Sequence, residues 1–291
     1  MKTGISSLAM VALMATGAAA LFAQWPKYPT GVPKGPDGKA NLTAPAPRTK
    51  DGHPDLSGLW DLARGPGRGG GAGKDGKGKE VPPSPVPPAQ PDDPPIGQFF
   101  NIGAGFKDGL LPFTPWATAL RAERKANNNK DNPDALCLPI GLTQMHMHPQ
   151  PRKIIQTDKV IIMLYEAQAG IRQIFMDGRP LPPKDAEPWW YGYSVGHWDG
   201  DTLVVETTGF RDDVWLDVEG SPLTNTGKMT ERMRRPNYGV LQTDITIEDP
   251  VAYTKPFTVR VNHTLTPDDD LIEFVCEERD AVHYVGKDGK K

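Results

Sequence analysis

From residue 153 to residue 278 the chain runs through short segments in which apolar and polar side chains alternate, each closed by turn-forming residues. Alternation with a period of two sends every second side chain to the same face, so the pattern specifies half-buried β-strands. Eight strands are predicted, over 160–166, 171–176, 190–198, 202–208, 228–235, 239–248, 257–265 and 271–278. Asp199-Gly200, between the third and fourth, is a two-residue hairpin signal. No crossover helices separate these segments, as a parallel sheet would require. The expected fold is therefore all-β, an antiparallel meander closing into a barrel, with a two-sheet sandwich as the alternative.

The head of the chain has a different character. Lys2 supplies a positive charge, residues 5–21 are apolar and small, and Leu21-Phe22-Ala23 before Gln24 offers a cleavage site. That order reads as a signal peptide over 1–23, and its apolar core falls short of the ~20 residues needed to span a bilayer. The expectation is an exported protein, periplasmic or secreted, that does not span the membrane. A formal net charge of −3 with dispersed Lys and Arg argues against a nucleic-acid partner. The two cysteines, Cys137 and Cys276, lie far apart, and in an oxidising compartment they are expected to pair.

Residues 24–50 read as a flexible lead and 64–97 as a linker, because 64–79 is rich in Gly and Lys and 81–95 in Pro. Such stretches carry too little apolar surface to offset chain entropy. Gly65 to Gly70 satisfies a G-x-G-x-x-G string, but with no strand before it and no helix after it the dinucleotide reading fails. Between them, 51–63 reads as a first short strand docking on the main domain, 98–286, and 287–291 as a tail. One flanking helix is expected near 115–127: Thr114 caps it, Pro115 starts it, Trp116, Ala119 and Leu120 fall at helical spacing, and Asn127 stops it. The Gly58-Leu59-Trp60 entry resembles that of lipocalin-like proteins, which implies a calycin-like barrel.

Alternation also nominates the interior. His263 shares a face with Phe257, Val259, Val261 and Leu265, Glu231 with Met229 and Met233, and Tyr165 with Ile161 and Met163. In the 190–198 segment Tyr191, Tyr193, Val195 and His197 fall together, while Arg172 shares a face with Ile174 and Met176. Inward-facing groups of this kind either satisfy one another in a filled core or line a small-molecule pocket. In the second case Glu231 or His263 would serve as general base, and Tyr165 or Arg172 would stabilise developing negative charge. Tyr193, His197, Met229, Met233 and Phe257 would contact the ligand.

Two further strings are weak. His146-Met147-His148 could share a metal on a strand, but spacing indicates no third ligand, and Pro149-Gln150-Pro151 points to a loop; no metal or other cofactor is expected. Gly192-Tyr193-Ser194-Val195-Gly196 matches Gly-x-Ser-x-Gly inside an alternating strand, not at the strand-to-helix turn that a serine hydrolase uses.

Several strings together resemble the signatures of a large family of secreted proteins of environmental Gram-negative bacteria with no established activity. They are Pro54-Asp55-Leu56-Ser57-Gly58, Pro151-Arg152-Lys153-Ile154-Ile155-Gln156-Thr157, Arg172-Gln173-Ile174-Phe175 with Asp177-Gly178-Arg179, Gly192 to Gly196, Gly200-Asp201-Thr202-Leu203, Thr230-Glu231-Arg232 and Ala252-Tyr253-Thr254-Lys255-Pro256. The resemblance covers 51–62 and most of 111–278. Family members often carry a Gly-His-Pro-His string and a further His before Thr-Glu-Arg; here those places hold Gly220-Ser221-Pro222-Leu223 and Lys228. The functional expectation is an exported barrel with an internal pocket for a small, partly apolar or glycosidic molecule. The alternatives are a cofactor-independent lyase, isomerase or hydrolase, and an envelope interaction module using the Pro-rich lead.

Overall fold

The alternating segments do close on themselves. The computed structural model describes residues 31–63, 73–74, 80–81, 84–267, 269–272, 274 and 276. The segment 1–23 expected as a signal peptide, residues 24–30, most of the Gly/Lys-rich tract and the tail lie outside them. Nine strands form one barrel: β1 (Gly58–Leu62), β4 (Arg152–Gln156), β5 (Val160–Tyr165), β6 (Ile171–Phe175), β7 (Tyr193–Asp199), β8 (Thr202–Thr208), β9 (Lys228–Asn237), β10 (Val240–Glu248) and β11 (Phe257–Leu265). A two-residue ribbon, β2 (Gly73–Lys74) with β3 (Glu80–Val81), stands apart from it.

From β4 to β11 the strands neighbour one another in chain order, and β1 closes the ring by pairing with β11 on one side and β4 on the other. Trp60 stands opposite both Leu265 and Arg152. At Gly58, with φ +145°, a Cβ would lie 2.6 Å from Leu265 Cδ1, so the closing strand enters where only glycine fits. Closure removes the open edges that a sheet of this size would expose.

Three features differ from the sequence expectation. β6 and β7 are parallel, Ile174 pairing with Ser194 and Phe175 with Val195, so the barrel is mixed and not a pure meander. Residues 176–192 make the required crossover without a helix, which is why helical periodicity does not announce it. The 271–278 strand is not formed: among its described residues, 271, 272 and 274 have no regular structure and Cys276 is helical. β4, within the repeat but not predicted as a separate strand, takes its place in the ring.

The parts expected to be flexible are partly held. Gly239 donates its N–H to the Leu42 carbonyl at 2.8 Å and Tyr238 to that of Ala44 at 2.7 Å, which ties the 31–50 lead to the β9–β10 hairpin. Residues 93–97 of the linker are also anchored: Gly97 donates to the Arg260 carbonyl, Arg260 donates to that of Pro95, and Asp93 pairs with the Arg260 side chain at 2.6 Å.

Helix α1 (Pro115–Ala126) matches its prediction, Thr114 Oγ1 accepting from the Ala117 N–H at 3.3 Å. Its buried face differs: Ala117 packs inward while Trp116 and Ala119 are exposed, because the contact follows Ala117, Leu120, Arg121 and Arg124. Arg124 lies over the Trp215 ring at 4.3 Å. A second helix, α2 (Leu142–Met147), takes in His146 and Met147, which the sequence predicts as loop; all six of its residues are buried. Thr143 Oγ1 and Gln144 Nε2 bond to the Leu216 and Trp215 carbonyls, both at 2.9 Å, and tertiary burial stabilises a helix that six residues could not hold alone. No helix among the described residues is long and apolar enough to cross a membrane.

Cys137 and Cys276 form a disulfide, with Cα atoms 5.6 Å apart at a sequence separation of 139. It ties the segment before α2 to the segment past β11. Replacing both cysteines with serine should lower stability by ~2 to 4 kcal/mol in a urea titration, through the freer unfolded chain. An unchanged midpoint and slope would contradict a stabilising bond.

Candidate functional site

The barrel interior is apolar over most of its length, and its polar exceptions converge. Arg172 on β6, Glu231 on β9 and His146 on α2 are all buried. Arg172 makes a two-pronged pair with Glu231: Nη1 donates to Oε1 at 2.9 Å, and Nη2 donates to Oε2. Its Nε and Nη2 also reach Ser194 Oγ at 3.1 and 3.0 Å, and Nη2 reaches Thr207 Oγ1 at 3.0 Å. Glu231 Oε1 lies 2.8 Å from His146 Nε2. One carboxylate is thus clamped between a guanidinium and an imidazole.

Each side chain arrives by strand parity. Glu231 stands opposite Val205 on β8 and Ile245 on β10, inside positions between Met229 and Met233. Arg172 and Ile174 face inward on β6, Ser194 on β7 and Thr207 on β8. His146 enters from the barrel end, carried by α2.

Beside this trio lies a second buried cluster. Arg152 Nη1 and His263 Nε2 touch each other, and each lies 2.8 Å from the His146 carbonyl oxygen. Arg152 Nη2 also donates to the carbonyls of His148 and Gln150 at 2.7 and 2.8 Å. A single guanidinium therefore fastens the end of α2 and the turn that follows. The His146 and His263 rings are 6.3 Å apart, and Tyr165 meets His146 edge-on at 6.5 Å.

Burial alone would push the Glu231 carboxyl up, but Arg172 and His146 outweigh it and hold it at about 2. Burial pushes His146 down, Arg172 and Arg152 adding to the effect and Glu231 opposing it. His263 is pushed well below the usual imidazole range by burial and by Arg152. Burial raises the Tyr165 hydroxyl to about 12. At neutral pH the site is then a carboxylate, two guanidiniums and two neutral imidazoles. With Nε2–H donating to Glu231, the Nδ1 of His146 is left as an acceptor, and this atom meets no protein partner. His263 Nδ1 and Arg152 Nε are likewise buried without one.

Of the residues singled out in the sequence, Glu231, His263, Tyr165 and Arg172 lie inside the barrel, and Met229, Met233 and Phe257 are buried there too. Glu231 is not poised as a base, since it is ion-paired and held ionised well below neutral pH. Tyr193 and His197 are corrections. His197 is exposed, and Tyr193 stacks on Phe175 outside the barrel at 5.1 Å, where its hydroxyl accepts from Arg179 at 3.1 Å. The cause is Gly192, whose φ of +67° breaks the alternation, so Tyr191 packs against the core while Ser194, not Tyr193, takes the inward place on β7. A Cβ at Gly192 would sit 2.6 Å from Thr207 Cγ2, which excludes a side chain there.

Sequence reasoning missed Arg152, Ser194 and Thr207. Arg152 was legible by parity, two positions before the inward Ile154. Ser194, the serine of the Gly-x-Ser-x-Gly string, uses its hydroxyl to accept from Arg172. Among the described residues no group of three or more His, Cys, Asp or Glu is placed to hold a metal ion. Comparison with family models, with curated proteins and with solved structures returns no match.

Proposed function

We propose that this is an exported β-barrel that binds a small, partly apolar, hydroxyl-bearing molecule against the polar cluster inside its α2 end. The observation that carries the reading is the set of buried atoms without a protein partner: His146 Nδ1, His263 Nδ1 and Arg152 Nε. Each such atom costs ~1 to 3 kcal/mol if nothing meets it. The set offers an acceptor at His146, a donor at Arg152 and, at His263, a nitrogen that donates or accepts according to the tautomer, and a hydroxyl both donates and accepts. Met163, Met229 and Phe257 supply apolar surface in the same interior. The signal-like head and the resemblance to secreted proteins support export.

A second reading has its own observation. A neutral His146 oriented by Glu231 at 2.8 Å, with its other nitrogen uncommitted, is a base held by a carboxylate. It moves the general-base role from Glu231 or His263 to His146 and would suit a lyase, isomerase or hydrolase without a cofactor.

One experiment separates the two. A panel of 4-nitrophenyl glycosides is titrated into the protein, following thermal stability for binding and nitrophenolate release for turnover. Binding without release is the expected result, with a rise in Tm at saturating ligand, and His146→Asn should weaken it. Release that His146→Asn abolishes would establish the catalytic reading. A panel with neither signal, and no small molecule retained on native mass spectrometry, would refute both.

A further inference from the structure

The ring of strands has one weak seam. β6 and β7 share only two residue pairs, Ile174 with Ser194 and Phe175 with Val195, the shortest ladder in the barrel. Continued towards the α2 end, this parallel register would set Ile171 beside Tyr191, but the chain turns there instead. The Gly192 N–H donates to the Trp189 carbonyl at 3.3 Å, and β7 starts only at Tyr193. Residues Ile171 to Gln173 therefore run past the start of β7 without a ladder partner on that side, and Arg172, which holds Glu231, stands at the gap.

One aromatic side chain fills this gap. Gly170, just before β6, is buried, and a Cβ there would lie 2.5 Å from Met145 Cε on α2 and 2.8 Å from Tyr191 Oη. The Tyr191 side chain is thus seated where α2, the β5–β6 turn and the head of β7 meet. It is partly exposed, and on its inner side lies the Tyr165 ring, 6.2 Å away. Tyr165 in turn meets His146 edge-on. Tyr191, Tyr165 and His146 form a row leading from the surface to the buried cluster.

The surroundings of Tyr191 are fastened, and Tyr191 is not. Thr143, Gln144 and the Arg152 guanidinium hold α2, and the β5–β6 turn is closed by the Tyr165 N–H on the Gly170 carbonyl at 2.8 Å. Among the described residues the Tyr191 hydroxyl has no hydrogen-bond partner. Apolar packing alone keeps the ring in place, so turning it about χ1 breaks no hydrogen bond. His146 and Glu231 are fully buried, and a molecule that reaches them must displace part of the wall. The part that opens at least cost is the one with the shortest ladder and an unanchored plug.

We propose that Tyr191 is the gate to the barrel interior, its side chain swinging away from Gly170 to admit a small molecule through the β6–β7 seam and returning to close behind it. The identity of the visitor rests on the binding reading above, whereas the gate is tested without it. A gate of this kind sets the rates of entry and exit together.

The test treats the full chain with diethyl pyrocarbonate, a small reagent that modifies free imidazole nitrogens, and reads each histidine by tandem mass spectrometry. In the wild type His146 should react far more slowly than the exposed His197. Tyr191→Ala should speed His146 about tenfold and leave His197 unchanged. Tyr191→Leu, which keeps apolar packing behind a smaller plug, should give a lesser acceleration and carries the test if the alanine variant does not fold. Ile247→Ala opens a cavity on β10, three strands from β7, and controls for general loosening; it should leave His146 slow. His146 as reactive as His197 in the wild type, equal His146 rates in the wild type and the Tyr191 variants, or an acceleration in Ile247→Ala matching that in the Tyr191 variants would overturn the proposal. Because the reagent needs no bound ligand, a gated His146 in a protein that binds no glycoside would count against the binding reading and not against the gate.

Discussion

Glu231→Gln should lower stability by ~3 to 5 kcal/mol in a urea titration, with the fold retained. Glutamine keeps the size of the side chain but removes the charge that Arg172 faces, and its amide N–H₂ opposes either the Arg172 donors or the His146 Nε2–H. What remains is a buried guanidinium whose other partners, the Ser194 and Thr207 hydroxyls, Met163 Sδ at 3.9 Å and His146 Nε2 at 3.4 Å, carry no negative charge. Breaking a buried pair by removing one member costs this much because the surviving charge is left desolvated. Arg172→Met should be equally harmful, for it strands the carboxylate. The double variant carrying both substitutions leaves no unpaired charge, so it should recover at least half of the summed losses. A cost below ~1 kcal/mol for Glu231→Gln, or strict additivity in the double variant, would mean that the pair does not hold the barrel together in this way. Glycoside binding by the folded Glu231→Gln protein then measures what the charge does for the site apart from stability.

Stability should also fall steeply on mild acidification, between about pH 6 and 5. Burial depresses both His146 and His263, so the native state refuses protons that the unfolded chain accepts near its ordinary imidazole pKa of ~6.5. The sign follows from linkage: where the unfolded state binds more protons, stability rises with pH, so it is fully present above ~6.5 and declines below. Two such groups give a slope approaching ~2.7 kcal/mol per pH unit. Glu231 acts lower down. Its native pKa of about 2 lies beneath the unfolded value of ~4.3, so its contribution is present above ~4.3 and is lost as pH falls towards 2. Urea titrations at pH 7, 6 and 5 check the first effect, and His263→Asn should remove one proton's share, ~1.4 kcal/mol per unit, from the slope. Equal stability at pH 7 and pH 5 would show that the two imidazoles are not held neutral.

Much of the interior was legible because the period-2 pattern is a local property. Wherever the chain keeps its alternation, parity alone assigns the faces: Met229, Glu231 and Met233 on β9, the run from Phe257 to Leu265 on β11, and Ile161, Met163 and Tyr165 on β5. One residue that breaks the alternation undoes the inference for everything beyond it. Gly192 did so for β7, sending Tyr193 and His197 outward and Ser194 inward. Partners between strands are a different matter, since parity says which face a side chain takes and not which strand lies beside it.

By itself the sequence determined the class of fold, the strands with unbroken alternation, the α1 cap and the two cysteines available to pair, all of which depend on neighbours along the chain. Only the tertiary structure decided that β6 and β7 run parallel, that β1 closes the ring between β11 and β4, and that α2 is a buried helix. It alone brought His146, Arg172 and Glu231, from three separate elements, onto one carboxylate. These depend on contacts between residues far apart in sequence, where burial, ion pairing and the closure of the sheet outweigh the local preferences that a sequence displays.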